Sequence, residues 1–139
     1  MKKIFPILLA VLLVLSVCPA VSSSTNNRID DSTVYRWTNI DSITTTLSFS
    51  GTKANCSAKV LGKSGTTRIT GTAKLERFVN GSYQLVKTWT GIGESGDVLR
   101  WSDSYSPVSS GYTYRFTFTA NVTCNGTTET GSGWIEKYY

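Results

Sequence analysis

The chain predicts an all-β protein, an antiparallel β-sandwich of about seven strands. Three observations predict it. The first is the stretch from Gly111 to Cys124, where Tyr112, Tyr114, Phe116, Phe118, Ala120, Val122 and Cys124 alternate with polar residues. A strand turns successive side chains to opposite faces, so this is one long strand with a buried face and a wet face. The second is the pair of Asn-Gly turns at Asn80-Gly81 and Asn125-Gly126, where a type I′ hairpin turn wants positive φ at both central positions. The third is that no segment of the chain beyond its leader repeats at helical spacing, while Thr is abundant and favours strands.

The elements follow in order. Residues 1-22 read as a secretory signal peptide: Met1-Lys2-Lys3 is basic, Ile4 to Val17 is apolar and short for a bilayer span, and Ala20 and Ser22 suit cleavage. The alternative is a lipoprotein signal ending at Cys18, in which Val17 occupies a place that wants a small residue. Residues 23-39 read as a flexible N-terminal segment, with Tyr35 and Trp37 as candidates for a short edge strand. The sandwich domain is 40-139. Ile43, Thr45, Leu47 and Phe49 face inward, and Gly51-Thr52 turns the chain. Ala54, Cys56, Ala58 and Val60 then face inward, followed by a turn over 62-65. Ile69, Gly71, Ala73 and Leu75 form a third inward set. Two registers stay open for the Asn80-Gly81 hairpin. A two-residue turn sets Leu75 against Val86 but Lys74 against Lys87, and a longer loop sets Leu75 against Leu85. Gly91 to Gly96 reads as a mobile loop. Val98 to Tyr105 is a fifth strand, carrying Leu99, Trp101 and Tyr105 on one face and stopped by Pro107.

The last hairpin can be read in register. Cys124 opposes Thr127, Phe118 opposes Gly133 and Phe116 opposes Ile135, so that phenylalanine rings lie over the bare backbone of Gly131 and Gly133. On the outer face Thr117 opposes Trp134, Arg115 opposes Glu136 as an ion pair, and Thr113 opposes Tyr138.

Composition bounds the chemistry. Without Lys2 and Lys3, twelve basic residues face nine acidic ones. They are dispersed, which does not suit a nucleic-acid binder. Two cysteines remain beyond the leader, and in an exported chain Cys56 and Cys124 are expected to pair. Closing a loop of about 69 residues would contribute about 4 kcal/mol. A bridge between the second and sixth strands is the inter-sheet bridge of immunoglobulin-like domains, and Tyr112 and Tyr114 are placed for a tyrosine corner. The fold class is therefore an immunoglobulin-like sandwich. It lacks the Trp that antibody-type domains carry in the third strand.

Ser64-Gly65-Thr66-Thr67 leading to Ile69-Thr70-Gly71, Asn80-Gly81-Ser82-Tyr83 leading to Val86-Lys87-Thr88-Trp89, and Ser109-Ser110-Gly111-Tyr112-Thr113-Tyr114-Arg115 resemble short exported proteins of Gram-positive, largely gut-associated bacteria, grouped as a domain of unknown function. The resemblance covers most of the chain beyond the leader. It implies export and a single β-rich domain, and it transfers no site residues.

The sequence contains no histidine. The usual general base, most metal sites and His-activated nucleophiles go with it. Asp97 and Asp103 are the one carboxylate pair that suggests glycoside hydrolysis, and Asp30, Asp31 and Asp41 suggest calcium without a ligand-loop spacing. Solvated surface acids are the stronger reading of both sets. Four Asn-x-Ser/Thr sequons, at Asn55, Asn80, Asn121 and Asn125, follow from Ser/Thr/Asn-rich strands. No enzyme activity, cofactor or metal is expected. The expected function is binding of an extracellular glycan or protein, with no nucleic-acid partner and no membrane span in the mature chain. The place expected is outside the cell or at its surface. The alternative is a structural or surface-coat protein that self-associates through edge strands. The candidate binding residues are Arg115, Trp134, Tyr138 and Thr117. Trp134 and Tyr138 are expected about 7 Å apart on one face, with Arg115 between them adding a cation–π or hydrogen-bond contact.

Overall fold

The computed structural model describes residues 37–139. The leader 1-22, Cys18, Asp30, Asp31 and Tyr35 lie outside the described residues. Seven strands follow in order: β1 Ile40–Ser50, β2 Lys53–Gly62, β3 Thr66–Val79, β4 Ser82–Ser95, β5 Val98–Tyr105, β6 Thr113–Cys124 and β7 Thr127–Tyr138. They form two antiparallel sheets, β1-β2-β5 and β4-β3-β6-β7. This is an immunoglobulin-like order in which the fourth strand stays hairpinned to the third instead of crossing to the first sheet.

The β6–β7 hairpin keeps the expected register from Cys124 opposite Thr127 to Thr113 opposite Tyr138. Asn125 and Gly126 both have positive φ, 49° and 79°, as the two-residue turn requires. The β3–β4 hairpin also closes with two residues, Val79 opposite Ser82 and Phe78 opposite Tyr83. Two irregularities then shift it. The first sets Leu75 against Lys87 and Lys74 against Thr88, so the two lysines never face each other. The second falls at Gly91, whose φ is 73°. That bulge overturns the loop expected over 91–96. Residues 91–95 continue β4 and pair with β3 as far as Arg68 opposite Ser95, leaving the turn to Gly96 and Asp97. A glycine-rich bulge has the composition of a loop, which is why sequence pattern mistakes one for the other.

Trp37 joins no strand; β1 begins at Ile40. The expected inward sets of β1, β2, β3 and β6 do line the core, with Ala54, Val60, Ile69, Leu75, Phe116 and Phe118 fully enclosed. At its centre Trp101 of β5 stacks on Phe116 of β6, with centroids 6.0 Å apart and an interplanar angle of 15°, and lies 6.0 Å from Phe118. Trp89 of β4 meets Trp101 edge-on at 5.4 Å. Each sheet therefore contributes rings to one aromatic joint. Tyr114 is the tyrosine corner: its hydroxyl donates to the Ser109 carbonyl and accepts the Ser109 N–H, both at 3.0 Å. Tyr112 is partly exposed beneath the Arg77 guanidinium, 4.6 Å from its ring.

The strand glycines serve a purpose different from the one expected. Gly131 and Gly133 are bare so that the other sheet can approach. A Cβ on Gly133 would lie 2.7 Å from Ile43, and one on Gly131 2.6 Å from Ile40 and 3.0 Å from Trp37. The ring of Phe118 lies instead over Gly71 of β3, where a Cβ would come within 2.4 Å of Cζ. Cross-strand position alone did not reveal which of its two neighbouring strands the ring leans toward.

The expected disulfide is absent: Cys56 and Cys124 are both free and buried. They sit at opposite ends of the sandwich. Cys124 pairs with Thr66, which packs against Gly62, while Cys56 opposes Leu47 and Asp103. Six residues of strand, about 20 Å, separate their levels, and a bridge needs Cα atoms within about 7 Å. Identifying the right two strands was insufficient because β2 and β6 run the same way and the cysteines lie at opposite ends of them. Burial, then the nearby Asp103 carboxylate, pushes the Cys56 thiol up to about 12.

Glu129 fastens the start of β1. It lies opposite buried Val122, and its carboxylate accepts the N–H groups of Thr38, Asn39 and Ile40 at 2.8, 2.6 and 3.0 Å. Lys63 Nζ donates to the Trp37 carbonyl at 2.7 Å beside it. Burial opposes ionisation there, but the three amides, with the Lys63 ammonium, hold the carboxyl below its usual 4.5. A lowered folded pKa means that the contribution is complete above the unfolded value and disappears as pH falls through the folded one.

Gly71→Ala should destabilise the protein by about 1–3 kcal/mol in urea unfolding, and Gly93→Ala, whose nearest atom is Thr70 Cγ2 at 3.3 Å, should cost less. Glu129→Gln should cost about 1–2 kcal/mol at neutral pH, at the low end because the site is partly wet. The difference from wild type should shrink when unfolding is measured below pH 4.

Candidate functional site

The outer face of β4-β3-β6-β7 collects the candidate residues. Register alone puts Thr113, Arg115 and Thr117 of β6 beside Tyr138, Glu136 and Trp134 of β7, and Glu76 of β3 on Arg115's other side. The outward positions of β6 are held by the burial of their neighbours, since Tyr114, Phe116 and Phe118 are all enclosed. Arg115, Thr117, Trp134 and Tyr138 thus share one face, as the alternation predicts.

Trp134 is 60% exposed and Tyr138 71%. Trp37 lies on the inward side, against Gly131, and so away from this face. Trp134 and Tyr138 stand four residues apart on β7, about 13 Å of extended strand. That is nearly double the spacing expected, and Glu136 occupies the position between them.

Arg115 takes partners other than those expected. Its Nε and Nη2 donate to Glu76 Oε2 at 3.1 and 3.0 Å, and Glu136 remains its strand neighbour without the ion pair. The guanidinium lies 3.8 Å from the ring centroid of Tyr83 on β4. The cation–π contact therefore forms on the β4 side of the sheet and away from the Trp134–Tyr138 pair. Tyr83 packs against Phe78 at 5.1 Å. Burial, the hydrogen bond to Glu136 and that carboxylate's charge push the Tyr83 phenol up to about 12 against the opposing pull of Arg115. Tyr83 thus remains a neutral donor to Glu136 at any ordinary pH. Glu76, Arg115, Tyr83 and Glu136 form one polar row across the sheet, each fixed by the next.

Sequence pattern missed Tyr83, Glu76, Phe78 and Leu85 on this face. Phe78 is 42% exposed and Leu85 62%. Their signal was the Asn80-Gly81 turn: taken as a two-residue hairpin, it puts Phe78 against Tyr83 and Glu76 against Leu85. The lysine clash further along obscured it.

The carboxylate pair does not form a catalytic site. Asp97 lies in the β4–β5 turn and Asp103 six residues on, about 20 Å along β5, where glycosidase carboxylates stand about 5–9.5 Å apart. Among the described residues no three His, Cys, Asp or Glu side chains gather to hold a metal. Among them, too, no helix is long and apolar enough to cross a membrane.

No family model matches the chain, and no curated protein does. Among solved structures it is similar to the sporulation control protein Spo0M from Bacillus subtilis, at 12% identity and a TM-score of 0.39 over 69% of this chain and 47% of that one. It is also similar to a protein from Archaeoglobus fulgidus, at 11% identity and a TM-score of 0.33 over 70% of this chain and 94% of that one. The chain spans about half the length of Spo0M. Likeness this slight says nothing of activity.

Of the four tryptophans, Trp37, Trp89 and Trp101 pack against the core. Iodide should therefore quench mainly Trp134. Trp134→Phe should lower the quenching slope and shift the remaining emission to the blue. An unchanged slope would mean that Trp134 is covered.

Proposed function

We propose that the protein is an exported, non-enzymatic binding module that engages an extracellular glycan or protein through the outer face of β4-β3-β6-β7. The exposure of Trp134 and Tyr138 on one sheet face carries this reading. Large aromatics standing in water on a flat, rigid surface supply contact area at little entropic cost, and they anchor sugar rings and protein partners alike. The polar row of Glu76, Arg115, Tyr83 and Glu136 adds hydrogen-bonding groups whose positions are already fixed, so binding need not order them. The separation of the two rings favours an extended ligand, an oligosaccharide or a peptide segment, over a single disaccharide. The basic start, apolar run and small residues of the leader support export, and the lack of histidine supports a role without catalysis.

Self-association as a surface coat is the weaker reading. Open-ended pairing needs a straight, free edge on both sides of a sheet; in the four-stranded sheet β7 keeps unbroken register along its length, but β4, the other edge, carries two register irregularities. Bulges of this kind twist an edge away from further pairing.

A glycan array and a pull-down from the cell envelope, each run in parallel with Trp134→Ala, test the proposal. Loss of Trp134 should weaken binding by about 2 kcal/mol or more, roughly thirtyfold. Binding undiminished in the variant would move the site elsewhere, and a concentration-dependent series of oligomers on size exclusion would favour the coat.

A further inference from the structure

The opposite sheet has an outer face of different character. Its outward positions run in rows across β1, β2 and β5. Thr46, Ser57 and Ser102 make one row and Ser48, Asn55 and Ser104 the next, lining an open hollow of about 360 Å³. The Thr46 and Ser57 hydroxyls hydrogen-bond to each other, so at least two of these groups are held in place. A second hollow, of about 280 Å³, continues from the first and shares Thr46, Ser57 and Ser102 with it. It is bounded by the third row, Thr44, Lys59 and Arg100.

That third row is unusual. Lys59 and Arg100 are direct cross-strand partners, and like charges in that position repel. No carboxylate relieves them: among the described residues the ion pair is Arg115–Glu76, on the other sheet. Asp103 also lines the first hollow, three residues along β5 from Arg100, and accepts a hydrogen bond from the Ser104 N–H. From Thr44 to Ser50, and at the β2 and β5 positions opposite, the outward side chains are hydroxyls, one amide, Lys53, Lys59 and Arg100, with no acid. Two adjacent cations beside a trough of hydroxyls and an amide match a ligand that carries an anionic group on a hydroxyl-rich chain. The outward side chains of these rows include no aromatic, and Trp101, which borders the second hollow, has its ring stacked on Phe116 inside the sandwich, which disfavours single-stranded nucleic acid.

We infer that this face is a second binding site, for an anionic polysaccharide. Lys59 and Arg100 together hold a sulfate or phosphate, and the Thr46–Ser57–Ser102 and Ser48–Asn55–Ser104 rows take the sugar hydroxyls. It lies on the other side of the sandwich from Trp134 and does not depend on that site.

Titration of the purified protein with dextran sulfate tests this, with neutral dextran and a single-stranded oligonucleotide as comparators. Dextran sulfate should bind, more weakly as salt rises, and neutral dextran should bind far less. The double variant Lys59→Gln/Arg100→Gln should lose about tenfold or more in affinity. Lys74→Gln/Lys87→Gln, which removes the same charge from the other sheet, should lose little, and Trp134→Ala should bind as wild type. Equal losses in the two double variants would reduce the effect to net charge and overturn the site. So would no binding of dextran sulfate at low salt, or tighter binding of the oligonucleotide.

Discussion

The packing of Trp101 on Phe116 and Phe118 is the contact on which the sandwich depends. Trp101 comes from edge strand β5 of one sheet, and the two phenylalanines from central strand β6 of the other. Trp89, from the far edge of the second sheet, closes on it. Burying rings of this size contributes more to joining two small sheets than any single polar contact. It also dictates where side chains must be missing. Phe118 can lie flat only because Gly71 is bare, and β1 can settle over β7 only because Gly131 and Gly133 are bare. One flank of the sandwich closes by aromatic bulk and the other by close backbone approach, and the two cysteines stay free.

Much of this was legible in the sequence. Strict alternation from Tyr114 to Cys124 determined which side chains of β6 point inward, Tyr112 ahead of the strand being the exception, and Asn125-Gly126 then determined every pairing of β7. What period and turn type determine was therefore recoverable, including the shared face of Arg115, Thr117, Trp134 and Tyr138. The rest depends on distance along the strands and on which neighbour a flexible side chain selects. Cys56 and Cys124 lie on strands that face each other but at different heights. Arg115 has a carboxylate on each side, Glu76 and Glu136, and one-dimensional pairing cannot say which it takes. Bulges escaped for a related reason: Gly91 disturbs the alternation much as a loop would, and only the pairing of Ser95 with Arg68 shows that the strand resumes.

The two sheets offer solvent different chemistry because their strands play different parts. In β4-β3-β6-β7, glutamates, arginines and aromatics lie side by side across four strands and lock one another, giving a rigid face with rings standing out at its β7 edge. In β1-β2-β5, short polar side chains leave a trough, and cations without acid partners stand at one end of it. Neither arrangement is required by the core, which is complete without them.

Thermal unfolding of the protein recovered from an oxidising medium, with and without reductant, distinguishes sheets joined by packing from sheets joined by a covalent bridge. If aromatic packing and bare glycines join the sheets, the two transitions superimpose, and alkylation after unfolding finds Cys56 and Cys124 both free. A transition lowered by about 10 °C or more in reductant, the scale on which a long-loop disulfide acts in a domain of this size, would contradict it.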